Sequence, residues 1–314
     1  MRVIGASPVA HKSFIKDRDI NAEFLNRTDC YLPKATSLRV SKLGYYSEEQ
    51  EQKFINFNSL KDYLEIIKYY INVPNKRFKE IEIELANPKQ INNGTIQMES
   101  ELYNHIRPKG EFTTNERQYN QLKKGGIKYL ELRSIDLNPY TAYGISQIEI
   151  EFLELLSIYC ILCGDEKIDP VEEIKIKENI RRASESGQDC NLICSFEKGD
   201  AEKNIKALTQ ELLESLESLS NAIGLKENHK NMFKEFYRRN EVPLSTQIID
   251  DLSNNSIVNF ISSKSKKQNL NLSKEFLKKM SLEAKTSKKE YLDQQNKDKI
   301  DFETFLENYR GEIN

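Results

Sequence analysis

The chain has 314 residues, of which 47 are basic and 49 acidic, for a net charge of −2. That length supports one large or two medium domains with a sizeable core and excludes a disulfide-stapled mini-protein. The balance of charge lacks the basic excess of a dedicated nucleic-acid binder, so small molecules or proteins are the expected partners and nucleic acid is not.

The longest apolar run lies within FLELLSIYCILCG (152–164). Glu154 interrupts it, and it falls well short of the roughly 20 residues a membrane helix needs. MRVIGASPVAHKSF has no basic segment followed by a long apolar one, unlike a secretory signal. A cytoplasmic protein without membrane contact is expected. Five cysteines are an odd number, which suits reduced thiols better than a disulfide framework.

In chain order, FNSLKDYLEIIKYYI (57–71) opens on an Asn-Ser cap and lines up Leu60, Tyr63, Leu64, Ile67, Tyr70 and Ile71, which predicts an amphipathic helix ended by Pro74. EIEIEL (80–85) and TIQMESELY (95–103) alternate on either side of Asn92-Asn93-Gly94, which predicts an antiparallel hairpin. GGIKYLELRSIDL follows as a third strand. From Ser146 the pattern turns helical: Ser146 and Glu149 form a capping-box pair, and Ile205, Leu208, Leu212, Leu216, Leu219 and Ile223 mark a second long helix. The Lys-rich stretch 262–299 reads as a solvated helical surface. The expected division is residues 1–145, carrying a sheet with one helix, and 146–314, a helical region packed on it.

Chemistry concentrates on the third strand. Residues two apart on a strand share a face about 6.6 Å apart, so Tyr129, Glu131 and Arg133 point one way, while Leu130 and Leu132 point to the expected core. A carboxylate able to hold Mg²⁺ beside a guanidinium able to hold phosphate oxygens suits phosphoryl transfer. A solvated face with cross-strand ion pairs is the alternative, and spacing alone leaves both open. Gln97, Glu99, Glu101 and Tyr103 share a second polar face, and Arg39 with Tyr45 adds a third group. Cys160 and Cys163 form a CxxC in an apolar helix, read as buried core thiols rather than a zinc knuckle. His11, His105 and His229 read as surface or capping residues. No GxGxxG, P-loop or Gly-x-Ser-x-Gly occurs.

Four blocks carry a more specific signal: VIGASPVAHKSF (3–14), YLPKATSLRVSKLGY (31–45), IQMESELYNHIRPKG (96–110) and GGIKYLELRSIDLNPYTAYGIS (125–146). In this order and spacing the chain closely resembles the proteobacterial type of glutamate–cysteine ligase, and weaker similarity runs on to FETFLENY (302–309). The resemblance implies an α+β fold, with an incomplete antiparallel sheet of the glutamine synthetase-like type and a helical layer. It implies ATP-dependent joining of the L-glutamate γ-carboxylate to L-cysteine through a γ-glutamyl phosphate, the first step of glutathione biosynthesis, with Mg²⁺ (or Mn²⁺). Carried over by motif, Glu131 is a metal ligand, Arg133 the catalytic phosphate contact, and Arg39, Tyr45 and Tyr103 bind substrate. The family's N-terminal portion, which precedes the GASP block and brings further acidic metal ligands, is not in this sequence. SGQDCNL (186–192) also departs from a basic family stretch. The expectation is a C-terminal fragment, inactive alone and completed by a separate N-terminal chain; the alternative is a non-catalytic remnant.

Overall fold

The computed structural model describes residues 2–15, 21–51, 53–79, 90–111, 116–164, 166–196, 199–252, 255–267, 272–295 and 300–311. Their strands are β1 (Val9–His11), β2 (Glu23–Phe24), β3 (Asp29–Tyr31), β4 (Ile106–Lys109), β5 (Tyr129–Leu132), β6 (Asn191–Phe196) and β7 (Gly199–Asn204). The helices are α1 (Glu48–Glu51), α2 (Leu60–Asn72), α3 (Lys76–Lys79), α4 (Gln118–Gly125), α5 (Gln147–Leu162), α6 (Pro170–Glu185) and α7 (Ile205–Ala222), followed by α8 (Lys226–Glu241), α9 (Leu244–Leu252), α10 (Ile257–Lys267), α11 (Lys274–Gln295) and α12 (Phe302–Gly311). The strands form three small sheets, ordered β1-β3-β2, β4-β5 and β6-β7. This is the mixed α+β architecture expected.

Two compact units result: Met1–Tyr63, Leu102–Pro108 and Leu130–Lys267 make one, and Leu64–Glu101, Lys109–Tyr129 and Gln268–Asn314 the other. Each draws on residues from both sides of Ser146, where α5 begins. The first unit is built on α5, α7 and α8, whose inward residues Phe152, Leu155, Leu213, Leu216, Met232 and Phe236 join Val3 in one core. Phe152 and Phe236 stack with ring centroids 4.3 Å apart. The capping box at α5 forms as its spacing predicts: the Ser146 hydroxyl accepts from the Glu149 N–H, and Glu149 accepts from the Ser146 N–H at 2.7 Å. Helix α2 likewise starts on Ser59, whose hydroxyl caps the Asp62 N–H. It buries Tyr63, Leu64, Ile67, Tyr70 and Ile71, as its period requires.

Three expectations fail, each for a local reason. EIEIEL lies outside the described residues, and its predicted partner TIQMESELY is not a strand. Thr95 and Ile96 instead donate to the carbonyls of Val73 and Tyr70 at the end of α2. The Gln97 side chain accepts from the Ile91 N–H, the Gln97 N–H bonds to the Glu101 carboxylate, and a 3₁₀ turn forms over Glu99–Glu101. Short-range side-chain bonds here take the backbone groups a ladder would have used. Glu99, expected on an open polar face, is buried against Arg117, with Oε1 to Nε at 3.1 Å.

The second failure is on β5, where Leu130 and Leu132 are 58% and 42% exposed rather than in the core. Its partner β4 meets it through Lys128 N–H to Lys109 O and Arg133 N–H to His105 O, so the ribbon is antiparallel. Among the described residues it has those two strands, and on its charged face Glu131 and Arg133 are half-buried while Tyr129 is exposed. Leu130→Thr and Leu132→Thr should each change stability by no more than about 0.5 kcal/mol in urea melts. A loss of several times that size in the isolated chain would show the leucine face to be covered.

The third failure is the CxxC. Cys160 and Cys163 are exposed, because the buried contacts of α5 end at Phe152 and Leu155 and its last turn runs past them. The reading of 146–314 as purely helical also missed the β6–β7 hairpin, paired from Asn191↔Asn204 to Phe196↔Gly199. The Lys-rich α11 is exposed along its length. No described helix is long and apolar enough to cross a membrane.

Candidate active site

Asp136 draws three of the sequence blocks together. It is 5% exposed, and its Oδ2 accepts from the Ala6 N–H and the Ser7 hydroxyl, both at 2.9 Å. Its Oδ1 accepts from Arg39 Nε at 2.8 Å. The other two guanidinium nitrogens of Arg39 donate to the carbonyls of Arg133 and Ile135, each at 2.9 Å. Thus the GASP turn, the SLRV turn and the exit of β5 are tied to one carboxylate. Gly44 serves the same turn, because a Cβ there would stand 2.0 Å from the Arg39 carbonyl oxygen, which the Tyr45 N–H must approach to 2.7 Å.

Tyr45 is thereby set beside β5. The Arg133 guanidinium sits over its ring at 5.0 Å, and the Tyr103 ring lies 4.6 Å from it, tilted by 40°. Buried Arg107 donates to the Tyr45 hydroxyl at 2.8 Å and also to the Leu102 carbonyl. Glu131 Oε1 is 3.5 Å from Arg133 Nη1, and its Oε2 is shut off from solvent. Four predicted residues therefore converge as a cluster, Glu131, Arg133, Tyr45 and Tyr103. The fifth, Arg39, lies behind it, holding the backbone of the strand that carries the cluster.

The sequence alone gives neither Asp136 nor Arg107 a role in the site. The signal for Asp136 was its place among the four blocks. His105 is half-buried, and burial and then the charge of Arg39 hold its ring below the usual histidine range. Three guanidiniums, Arg39, Arg107 and Arg133, stand against two carboxylates, Glu131 and Asp136, a balance that favours anionic groups, and the two tyrosines offer an apolar wall with hydroxyl tips.

This set does not by itself fit a divalent metal. A hard cation needs about six oxygen ligands, several of them anionic. Among the described residues no three acidic, histidine or cysteine side chains gather to hold one, and the neighbour of Glu131 is a cation.

Comparison with known proteins places the chain in a family. The family model for glutamate-cysteine ligase matches residues 1–183. The chain is 36% identical over 239 residues to the glutamate–cysteine ligase of Wigglesworthia glossinidia brevipalpis, covering 74% of this chain and 47% of that protein. With the ligase of Shewanella halifaxensis it shares 38% over 183 residues, 57% of this chain and 35% of the relative. The crystal structure of the Francisella tularensis glutamate–cysteine ligase in complex with AMP superposes with a TM-score of 0.86 at 23% identity, covering 98% of this chain and 63% of that one.

The fold is thus the glutamine synthetase-like α+β type, with small antiparallel sheets beside packed helices. The chain belongs to the glutamate–cysteine ligase family. It spans about half the length of the curated relatives it matches.

Proposed function

We propose that this chain contributes the Arg133–Tyr45–Tyr103 surface to an ATP-dependent ligase. That ligase joins the γ-carboxylate of L-glutamate to the amine of L-cysteine through a γ-glutamyl phosphate. The single observation that carries this reading is the cluster itself, a guanidinium 5.0 Å above Tyr45 with the Tyr103 ring 4.6 Å from Tyr45, beside the strand the family blocks define.

In this reading Arg133 stabilises the charge that develops on the transferred phosphoryl group. Tyr45 and Tyr103 wall the cysteine site, where ring faces and edges suit a small sulfur-bearing side chain. Arg39, whose three nitrogens all donate within the protein, fixes the carbonyl end of β5 instead of meeting a substrate carboxylate directly. Mg²⁺ or Mn²⁺ is part of the proposal only if Glu131 is joined by ligands from beyond the described residues. The remaining polypeptide, whether a separate N-terminal chain or not, has to supply the others.

The absence of a gathered acidic set among the described residues favours a second reading for the chain in isolation, a non-catalytic remnant or the binding partner of a split ligase. The purified chain should therefore make no γ-glutamylcysteine from ATP, glutamate and cysteine. Co-expression with the part of the Wigglesworthia ligase outside the 239 matched residues tests the first reading. Turnover that appears in the complex and falls at least about 10²-fold in Arg133→Met supports it, the size expected when an electrostatic partner of the transition state is removed. A stable complex without turnover supports the second.

A further inference from the structure

Helix α5 ends on a pair of groups that the proposed ligase surface does not use. Cys160 and Cys163 are both exposed, three residues apart on the last turn. Helical geometry sets their Cα atoms about 5 Å apart, within the range that disulfides span. The two sulfurs sense one another, since burial first and then Cys163 push the Cys160 thiol up.

The turn that carries them has room to tighten. Cys163 is the cap residue, at φ −72° and ψ −5°, and its N–H bonds to the Tyr159 carbonyl four residues back. Moving that bond to the Cys160 carbonyl converts the turn to 3₁₀, where side chains at i and i+3 eclipse. Gly164 follows at φ +101° with no heavy atom within 4 Å of a Cβ placed on it, so the space beside the cap is open. The other thiols lack this arrangement: Cys30 is buried with its sulfur directed at the Ala10 carbonyl, while Cys190 and Cys194 are partly buried.

We propose that Cys160 and Cys163 form a reversible disulfide within the helix by exchange with a low-molecular-weight disulfide, RSSR. Cys163 loses its proton to solvent, attacks one sulfur of RSSR and releases RS⁻. Cys160 then loses its proton and attacks the Cys163 sulfur, closing the ring and expelling the second RS⁻. Two protein thiols are oxidised, and one RSSR becomes two RSH as the released thiolates take up the two protons. Uncatalysed exchange of this kind runs over minutes to hours.

The test uses the reduced 314-residue chain with cystine as RSSR, iodoacetamide to block remaining thiols, and trypsin. Residues 134–167 form one tryptic peptide holding both cysteines, while Cys190 and Cys194 fall on 183–198. The expected result is a 134–167 peptide without alkylation and about 2 Da lighter than its dithiol form, for the two hydrogens lost, and reversed by dithiothreitol. In Cys160→Ser a cysteinyl adduct should persist on Cys163. A 134–167 peptide that is fully alkylated, or that carries two cysteinyl adducts, overturns the proposal; an adduct-free Cys160→Ser overturns the order of attack.

Discussion

Asp136→Ala is expected to lower the unfolding free energy by about 3 kcal/mol, read as a drop in urea midpoint with an unchanged slope. The variant leaves the buried Ala6 N–H without its acceptor, which alone costs about 1–3 kcal/mol. It also removes the counter-charge of Arg39. That guanidinium side chain is 40% exposed, so water recovers part of the loss and the total stays at the lower end for a broken buried pair. Asp136→Asn, which keeps an acceptor of the same shape, should lose noticeably less. The consequence reaches the site as well: without Asp136 the grip of Arg39 on the carbonyls of Arg133 and Ile135 loosens, and with it the placement of the Arg133 side chain over Tyr45. An Asp136→Ala chain within 1 kcal/mol of the parent, on the scale of ordinary surface changes, would show that the three blocks hold together without this carboxylate.

What could be read in the sequence was whatever depends on neighbours. Ser146 and Glu149 stand three residues apart and close a box by themselves, and the stripe from Tyr63 to Ile71 needs only helical period to be seen. The four family blocks were legible as blocks, and Glu131, Arg133, Tyr45 and Tyr103 among them do converge. What could not be read depends on distant partners. Alternation in TIQMESELY promised a strand, but the carbonyls at the end of α2 claimed its donors, and Arg117, eighteen positions on from Glu99, drew that carboxylate into the interior. Alternation in YLELR fixed which residues share a face and not which face is sheltered. Tyr45 covers Arg133 on the charged side, and the leucines are left outward. Asp136 itself stood in plain view in SIDLNP with no local cue, because its partners lie 97 and 130 positions away.

Arg239→Met should be the most damaging single change in the helical core, costing about 3–5 kcal/mol at pH 7. Arg239 is 4% exposed, and its Nη1 lies 2.7 Å from Glu149 Oε1, which also accepts from Asn138 Nδ2 at 2.9 Å. Burial is the largest influence on Glu149 and pushes its pKa up. The bonds from Arg239, the Ser146 N–H and Asn138 together outweigh it and hold the group below its ordinary value. A carboxylate with a folded pKa below its unfolded one contributes stability above the unfolded pKa, and that contribution is lost as pH falls through the folded value. In the parent, Glu149 therefore stabilises at neutral pH and ceases to do so in acid. In Arg239→Met the burial effect is left largely unopposed, the folded pKa rises above the unfolded one, and the sign reverses: the buried carboxylate destabilises at neutral pH and is relieved by protonation. Glu235 adds to the same trend, since its pKa of about 2 is held down chiefly by Arg238 and in part by Arg239. The gap between parent and variant should accordingly be widest near pH 7 and narrow as pH falls through the raised folded pKa of Glu149 in the variant, which lies above the roughly 4.3 of an unfolded glutamate. Urea melts at pH 7, 5 and 4 measure it, and a gap that stays constant across that range would mean that the loss comes from packing against Phe236 and not from the ion pair.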